Sequence, residues 1–172
     1  MKRTELKIHT WPEKILKKKC KKVRVIDDSV RQLLDQMHAL MVETKGVGLA
    51  ANQVGLNMSL VVIEFEDKLF KLVNPCITKK EGKTVFLEGC LSFPELEIKV
   101  KRAKKIWVCA QNEKGEPIEL ELDGIFSIVA QHEIDHINGV VFIDRIPLWQ
   151  RVKILPQLTS ITQKTKHAAV PK

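Results

Sequence analysis

The spacing of apolar residues between residues 29 and 44 predicts an amphipathic α-helix. Apolar side chains recur there at intervals of three and four, which places them on one helix face: Val30, Leu33, Leu34, Met37 and Met41. Asp28 and Ser29 suit its N-cap, and Gly46 suits its end. We expect this Met- and Leu-rich face to pack in the core. His38 has no ligand-like neighbour in the sequence and is expected to be structural or exposed.

The pattern changes to short β-rich or alternating runs between residues 59 and 122. Turn residues such as Asn74-Pro75 and residues 114–117 separate these runs. Alternation is typical of antiparallel strands that bury one face against a helix. The predicted strands cover residues 59–65, 70–73, 83–87, 97–101, 106–110 and 118–122.

A second helix is predicted over residues 125–138, where an apolar run leads directly into His132. It is apolar enough to be buried, with its histidines facing inward. Residues 146–163 suit a last helix that Pro156 would break or kink, and the tail from residue 162 suits a frayed or disordered end. We therefore predict an α+β fold in which antiparallel β-sheets pack around a central metal-binding helix, residues 125–138.

Length and composition are consistent with one domain, which we place at residues 1–146, followed by a basic, partly disordered C-terminal helix or tail over residues 147–172. No apolar run approaches the ~18–20 residues that span a bilayer, and no apolar segment follows the basic N-terminus as in a secretory signal. The four cysteines contain no CxxC pair, which favours a reduced, cytoplasmic protein.

The net charge of +8 is concentrated at the two ends of the chain. Residues 1–24 carry ten Lys and Arg against Glu5 and Glu13, and residues 146–172 carry five basic residues and no acid. Such ends suit either a solvated, solubilising surface or docking on a polyanion such as RNA.

Candidate chemistry is concentrated in residues 131–136, Gln-His-Glu-Ile-Asp-His. Histidines four apart on a helix share one face, so His132 and His136 can bind one metal ion. Glu133, between them, can reach a water molecule on that ion as a general base. The pattern favours a metallohydrolase.

The third metal ligand is not specified by this motif. No Glu follows Glu133, and position 142 is Phe rather than the His of an HExxHxxGxxH site, so two peptidase arrangements are excluded. The remaining candidates are His9, His167, Asp144 and the cysteines. Cys90 is favoured, because Gly89 lets the chain turn there and a thiolate binds zinc or ferrous iron strongly.

The segment GVGLAANQVG at residues 46–55 is rich in small residues, which allow close backbone approach. It lacks the spacing of a dinucleotide loop and the Gly-Lys-Ser/Thr of a phosphate loop. Together with EGCLS at residues 88–92 and QHEIDH at residues 131–136, it resembles, in order and spacing, the three motifs of bacterial-type peptide deformylases. The resemblance covers residues 5–146.

The resemblance implies a metal-dependent hydrolase that removes the formyl group from N-formylmethionine of nascent polypeptides. Cys90, His132 and His136 would bind one ion, ferrous iron first, with zinc, nickel or cobalt as alternatives. Glu133 would take a proton from the attacking water and pass it to the leaving amine. The Gln53 side chain and the Leu91 backbone N–H would stabilise the oxyanion.

The resemblance also implies a site for the substrate chain. Gly48 would bring its backbone to the peptide, which would lie as an added β-strand. By position, an apolar pocket for the methionine side chain would use Val47, Ile125, Ile128 and Val129, together with the ring of His132. Arg102 and Glu88 would fix the metal ligands, and Asp135 is expected to be structural.

Two residues depart from the family pattern. Phe93 stands where a smaller Ile or Val is common and could narrow access, and Glu97 stands where a basic or aromatic residue is common. Taken with the basic ends, the resemblance implies docking near the ribosome exit tunnel, with neither membrane binding nor sequence-specific nucleic-acid recognition. Two alternatives remain open, a metallopeptidase and a ribosome- or RNA-binding module with a structural metal site.

Overall fold

The computed structural model describes residues 6–168, with side chains up to residue 166. It contains four α-helices and seven strands in the described range. The helices are α1 (Asp28–Glu43), α2 (Gly124–Ile137), α3 (Leu148–Lys153) and α4 (Leu155–Ala168). The strands are β1 (Gly48–Ala50), β2 (Leu60–Phe65), β3 (Lys68–Glu81), β4 (Thr84–Cys90), β5 (Phe93–Arg102), β6 (Lys105–Gln111) and β7 (Pro117–Asp123).

All strand pairs are antiparallel and form two sheets. One sheet has five strands in the order β1-β2-β3-β6-β7, and the other is the hairpin β4-β5. The predicted α+β class is confirmed. Helix α2 packs against β1, β2 and β7 and is buried throughout residues 127–137. None of the described helices is long and apolar enough to cross a bilayer.

Helix α1 matches the predicted helix within one residue at each end, but its caps differ from the prediction. Asp27, rather than Asp28 or Ser29, is the N-cap, and its carboxylate accepts hydrogen bonds from the backbone N–H groups of Ser29 and Val30. At the C-terminus Lys45, with φ of 56°, adopts a left-handed conformation one residue before the predicted stop at Gly46.

Strand β3 corrects the prediction of a turn at Asn74-Pro75. The strand runs through this dipeptide, and the pairing with β6 shifts register between Val73 and Cys76. Asn74 has φ of 54°, a conformation that Asn tolerates, and its side-chain amide bonds both backbone polar groups of Val23. A bulge therefore replaces the turn.

The C-terminal segment is two helices that meet at Ile154, so Pro156 lies in the first turn of α4, where its missing N–H costs no intrahelical bond. Helix α4 extends to Ala168, five residues beyond the predicted end, because Leu158 and Ile161 are buried against the protein. Residues 169–172, the end of the predicted disordered tail, lie outside the described residues.

Candidate metal centre

Helix α2 presents His132 and His136 on one face, as the four-residue spacing predicts, and both rings are buried. Cys90, at the end of β4, meets them there. The Nε2 atom of His136 lies 3.3 Å from the Cys90 sulfur and 3.2 Å from Nε2 of His132. The three potential ligand atoms all lie within 4.8 Å of one another. The predicted ligand set is therefore brought together.

These separations fit three ligands of one metal ion. In a tetrahedral site with nitrogen at about 2.0 Å and sulfur at about 2.3 Å from the ion, two nitrogens lie about 3.3 Å apart and a nitrogen and a sulfur about 3.5 Å apart. Nδ1 of His132 lies 2.9 Å from the Glu88 carboxylate, which can only accept, so Nδ1 carries the proton and Nε2 keeps its lone pair. Nδ1 of His136 has no partner among the described residues.

The other candidate ligands have different neighbours. The ring of His9 bonds Glu13, and Asp144 pairs with Lys17. The thiol of Cys20 is buried, and burial raises its pKa to about 11. The side chain of His167 lies outside the described part of the chain. His38 binds Glu64 at 2.8 Å, which agrees with a structural role.

A buried ion-pair network orients one of the candidate metal ligands, His132, through Glu88. Arg102 donates two hydrogen bonds to Glu88, at 2.6 and 2.9 Å, and a third to Asp135 at 2.5 Å. Arg145 also donates to Asp135. Burial alone would raise the pKa of Glu88, but Arg102 and His132 hold it below its ordinary value. Burial likewise opposes the Arg102 charge, yet Glu88 and Asp135 raise its pKa. This network keeps Glu88 ionised beneath His132.

We expect Arg102→Met to lower the free energy of unfolding by about 3–5 kcal/mol, because it leaves the buried Glu88 carboxylate without its guanidinium partner and Asp135 with Arg145 alone. Arg31→Met is the matched control, since its partner Asp28 is exposed and such pairs contribute about 0–1 kcal/mol. Urea unfolding of the two variants measures the difference. Equal losses would contradict the network's role.

The Glu133 carboxylate lies in a tight space between α2 and β1. A Cβ atom on Gly48 would lie 2.6 Å from Oε1 of Glu133 and 2.8 Å from Cγ1 of Val129, so only glycine fits without displacement. The other oxygen, Oε2, is buried without a hydrogen-bond partner in the described part of the chain. Desolvation raises the pKa of Glu133 to about 7, a value suited to accepting and returning a proton near neutral pH.

Gln53 reaches the same centre from the short 3-10 helix Ala51–Val54. The Ala50 backbone N–H donates to its Oε1 at 2.8 Å, which orients the amide NH2 toward Cys90, 3.5 Å away, and the Ser92 hydroxyl, 3.2 Å away. Leu91 follows Cys90 in the turn between β4 and β5. An amide donor and a turn backbone thus flank the candidate metal ligands.

A cavity of about 730 Å³ opens onto this centre. All five residues predicted to bind substrate line it: Val47, Gly48, Ile125, Ile128 and Val129. Glu97 is exposed at its rim. Phe93 contributes to the wall but is 1% exposed, because it packs between Trp11 and Phe142 rather than across the mouth.

Several residues of the site were not predicted. Phe86 and Leu87 on β4 and Lys45 line the cavity, and Ser92 binds the Gln53 amide. Asn52 donates to the backbone carbonyl of His136 at 2.5 Å and so ties α2 to the glycine-rich segment. Ser92 and Asn52 lie inside recognised motifs, which was an available signal. Phe86, Leu87 and Lys45 carried no such signal in the sequence. Only the pairing of β4 with β5 places Phe86 and Leu87 at the cavity.

Comparison with known proteins identifies the family. The polypeptide deformylase family model matches residues 5–152. A peptide deformylase of Aquifex aeolicus is 44% identical over 162 residues, covering 91% of this chain and 96% of that protein. The crystal structure of a Legionella pneumophila peptide deformylase has a TM-score of 0.86 at 36% identity, covering 96% of this chain and 99% of that one. Arabidopsis thaliana peptide deformylase 1B, solved with an inhibitor, has a TM-score of 0.89 at 34% identity, covering 96% of each chain. With the Cys90, His132 and His136 cluster beside Glu133, these matches show that the chain belongs to the polypeptide deformylase family.

Proposed function

We propose that this chain hydrolyses the formyl amide of N-formylmethionine at the start of nascent polypeptides and releases formate. The observation that carries the proposal is the Cys90, His132 and His136 cluster at the base of a cavity, with the buried Glu133 carboxylate beside it. Family membership favours this reaction over the two alternatives, a metallopeptidase and an RNA-binding module with a structural metal site.

Cys90, His132 and His136 would hold the divalent ion, which supplies Lewis acidity that activates water and polarises the formyl carbonyl. We propose ferrous iron as the native ion, since one thiolate and two imidazoles suit it, although zinc, nickel and cobalt fit the same donors. Metal analysis of protein purified without oxygen tests this assignment. Zinc in stoichiometric amount, with iron absent, would contradict it.

Glu133 is the proposed proton carrier. Its desolvated carboxylate accepts a proton from the attacking water and then delivers that proton to the amine that leaves the formyl carbon. Because Oε2 has no competing hydrogen bond among the described residues, this oxygen is available for both transfers. Gly48 leaves just enough room for the carboxylate to stay beside the ligands.

The negative charge that develops on the formyl oxygen needs hydrogen-bond donors. We propose the Gln53 side-chain amide and the Leu91 backbone N–H for this role. The Gln53 amide is already oriented by Ala50 and needs no reorganisation when charge appears. One such donor typically contributes about 3–4 kcal/mol of transition-state stabilisation.

The substrate chain is proposed to lie along β1. This strand pairs with β2 on one side and is an edge of the larger sheet, so its other edge can accept a peptide as an added strand. The methionine side chain would then enter the apolar part of the cavity, beside Ile125, Ile128 and Val129. Val47, 42% exposed, would cover it from the rim.

Formate release from formyl-Met-Ala by anaerobically purified, metal-loaded protein tests the proposal. Acetyl-Met-Ala serves as the control substrate, because its extra methyl group must be accommodated at the reacting carbon. Release no faster than that by the Glu133→Gln variant would contradict the assignment. Cleavage of internal peptide bonds by the same preparation would instead favour the metallopeptidase alternative.

Gly48→Ala is expected to lower kcat by about 10- to 100-fold, because the added methyl group must displace Glu133 by a substantial fraction of an ångström. Gly89→Ala is the control, since its Cβ would meet only Cγ of Glu97, at 3.8 Å. Steady-state kinetics of formate release measures both variants. Equal kcat values would show that the position of Glu133 does not depend on Gly48.

We also propose that the basic ends dock the protein near the ribosome exit tunnel, in the cytoplasm, where formylated chains emerge. The positive charges in residues 1–24 and 146–172 support a polyanionic partner. Co-sedimentation with ribosomes should weaken steeply between about 50 and 200 mM salt. Binding that does not change with salt would contradict electrostatic docking.

A further inference from the structure

Helix α4 lies beyond the family match, which ends at residue 152, yet it packs beneath the candidate site. Its residues Leu158 and Ile161 are buried in the same apolar cluster as Phe93 and Phe142. Phe93 also forms part of the cavity wall. Lys164 on the same helix pairs at 2.6 Å with Glu95, another cavity residue. Helix α4 is therefore part of the structure that surrounds the site.

Thr165 connects α4 to the N-terminal segment His9-Thr10-Trp11, which we call the strap. Its Oγ1 lies 2.9 Å from the Trp11 carbonyl oxygen and 2.8 Å from the Thr10 hydroxyl. The Ile161 carbonyl oxygen, one turn back in α4, lies 3.0 Å away. Since the hydroxyl has one proton, it is shared between two carbonyls, while the Thr10 hydroxyl can donate to it.

The strap in turn holds both segments that supply the proposed oxyanion donors. The His9 backbone N–H donates to the Gln53 carbonyl at 2.7 Å, and the Trp11 backbone N–H donates to the Ser92 carbonyl at 2.9 Å. Ser92 directly follows Leu91. The two backbone hydrogen bonds therefore attach Gln53 and the turn that contains Leu91 to the same three-residue segment.

Aromatic packing provides a second connection from the strap to the metal ligands. The Trp11 ring stacks on Phe93 with centroids 5.4 Å apart, and Phe93 meets Phe142 at 5.1 Å. Phe142 contacts the ring of His132 at 5.7 Å. A displacement of Trp11 would thus be transmitted through packed rings to a metal ligand, because close-packed interiors have little free volume to absorb it.

We propose that Thr165 is a positioning residue for deformylation, which acts through the strap on Gln53 and the Leu91 turn. The inference rests on the proposed function of the site. Oxyanion donors stabilise a transition state only when they point at the developing charge, so small displacements lower kcat more than substrate binding. The helix that follows the family match thereby contributes to catalysis.

Thr165→Val tests this role, because it removes the hydroxyl while keeping the shape of the side chain. Thr162→Val is the matched control: Thr162 is also half-buried on α4, and its hydroxyl donates to the Leu158 carbonyl of its own helix at 2.8 Å. We expect Thr165→Val to lower kcat about fivefold with KM within about twofold, the effect of one ordinary hydrogen bond. Thr162→Val and Thr165→Ser should retain the wild-type kcat.

Thr10→Val removes the contact from the side of the strap and gives an independent measurement. It should also lower kcat. If the two hydroxyls act as one unit, the double variant Thr10→Val/Thr165→Val should lose less activity than the two single losses multiplied together. Metal content should stay at the wild-type level in each variant. Formate release by the wild-type protein, measured first, tests the proposed function separately.

With an active wild type, two kcat results would overturn the positioning role. One is a kcat of Thr165→Val equal to that of Thr162→Val. The other is a loss in Thr165→Val that Thr165→Ser does not restore, since a serine keeps the hydroxyl. A change confined to KM would also overturn it, because the proposed role concerns the transition state rather than substrate binding.

Discussion

Cys90→Ala is expected to release the metal ion and to abolish formate release. The substitution removes one of three donors whose atoms lie within 4.8 Å of one another and leaves two imidazoles with too few protein ligands for a stable catalytic site. Even the loss of a group that only orients a ligand typically costs about 10- to 100-fold in metal affinity, so a direct ligand should cost more. Activity should fall below about 1% of wild type.

Metal content after anaerobic dialysis, measured together with formate release, checks this expectation. Cys76→Ala is the matched control, because Cys76 is an exposed free thiol outside the ligand cluster, and it should keep both metal and activity. A Cys90→Ala protein that keeps one tightly bound ion per chain would show that a different group is the third ligand.

Glu133→Gln is expected to lower kcat by about 10²- to 10⁴-fold while the metal stays bound. The amide has nearly the same shape as the carboxylate but cannot accept a proton from water. Because Glu133 is not one of the three clustered donors, the ligand set is unchanged. The result would therefore separate proton transfer from metal binding, which the Cys90 variant cannot do.

Formate release and metal content again provide the measurement. Glu97→Gln is the control for loss of a negative charge, since Glu97 is exposed at the rim of the same cavity, and its kcat should stay within about threefold of wild type. If Glu133→Gln kept the wild-type kcat, another group would have to be the base.

The helices predicted over residues 29–44 and 125–138 and the predicted strands correspond to observed elements, because apolar periodicity reflects burial of one face. The predictions are wrong where one local sequence pattern is compatible with two structures. Asn74-Pro75 suited a turn, but its neighbours in β6 and the contact with Val23 made it a bulge within β3. Strand β1 was missed because three residues rich in glycine and alanine have no β-pattern of their own.

The candidate site was predictable where its reactive groups lie close together in the sequence. The four-residue spacing of His132 and His136 and the position of Glu133 follow from helix geometry alone. The pairing of Cys90 with them came from elimination and from a family resemblance. The buried position of Phe93 was not predicted, since whether its ring covers the mouth or fills the core depends on Trp11 and Phe142, which are distant in sequence.

The sequence by itself determined the local elements and the identity of the reactive groups, because helix and strand periodicity and the ligand chemistry of Cys, His and Glu are properties of short segments. Only the tertiary structure decided what those groups contact. It brought Cys90 to 3.3 Å from His136, placed Arg102 beneath Glu88, and tied Thr165 to the strap that holds Gln53. These contacts join residues far apart in the chain, and they depend on the burial of all three apolar clusters at once rather than on any local preference.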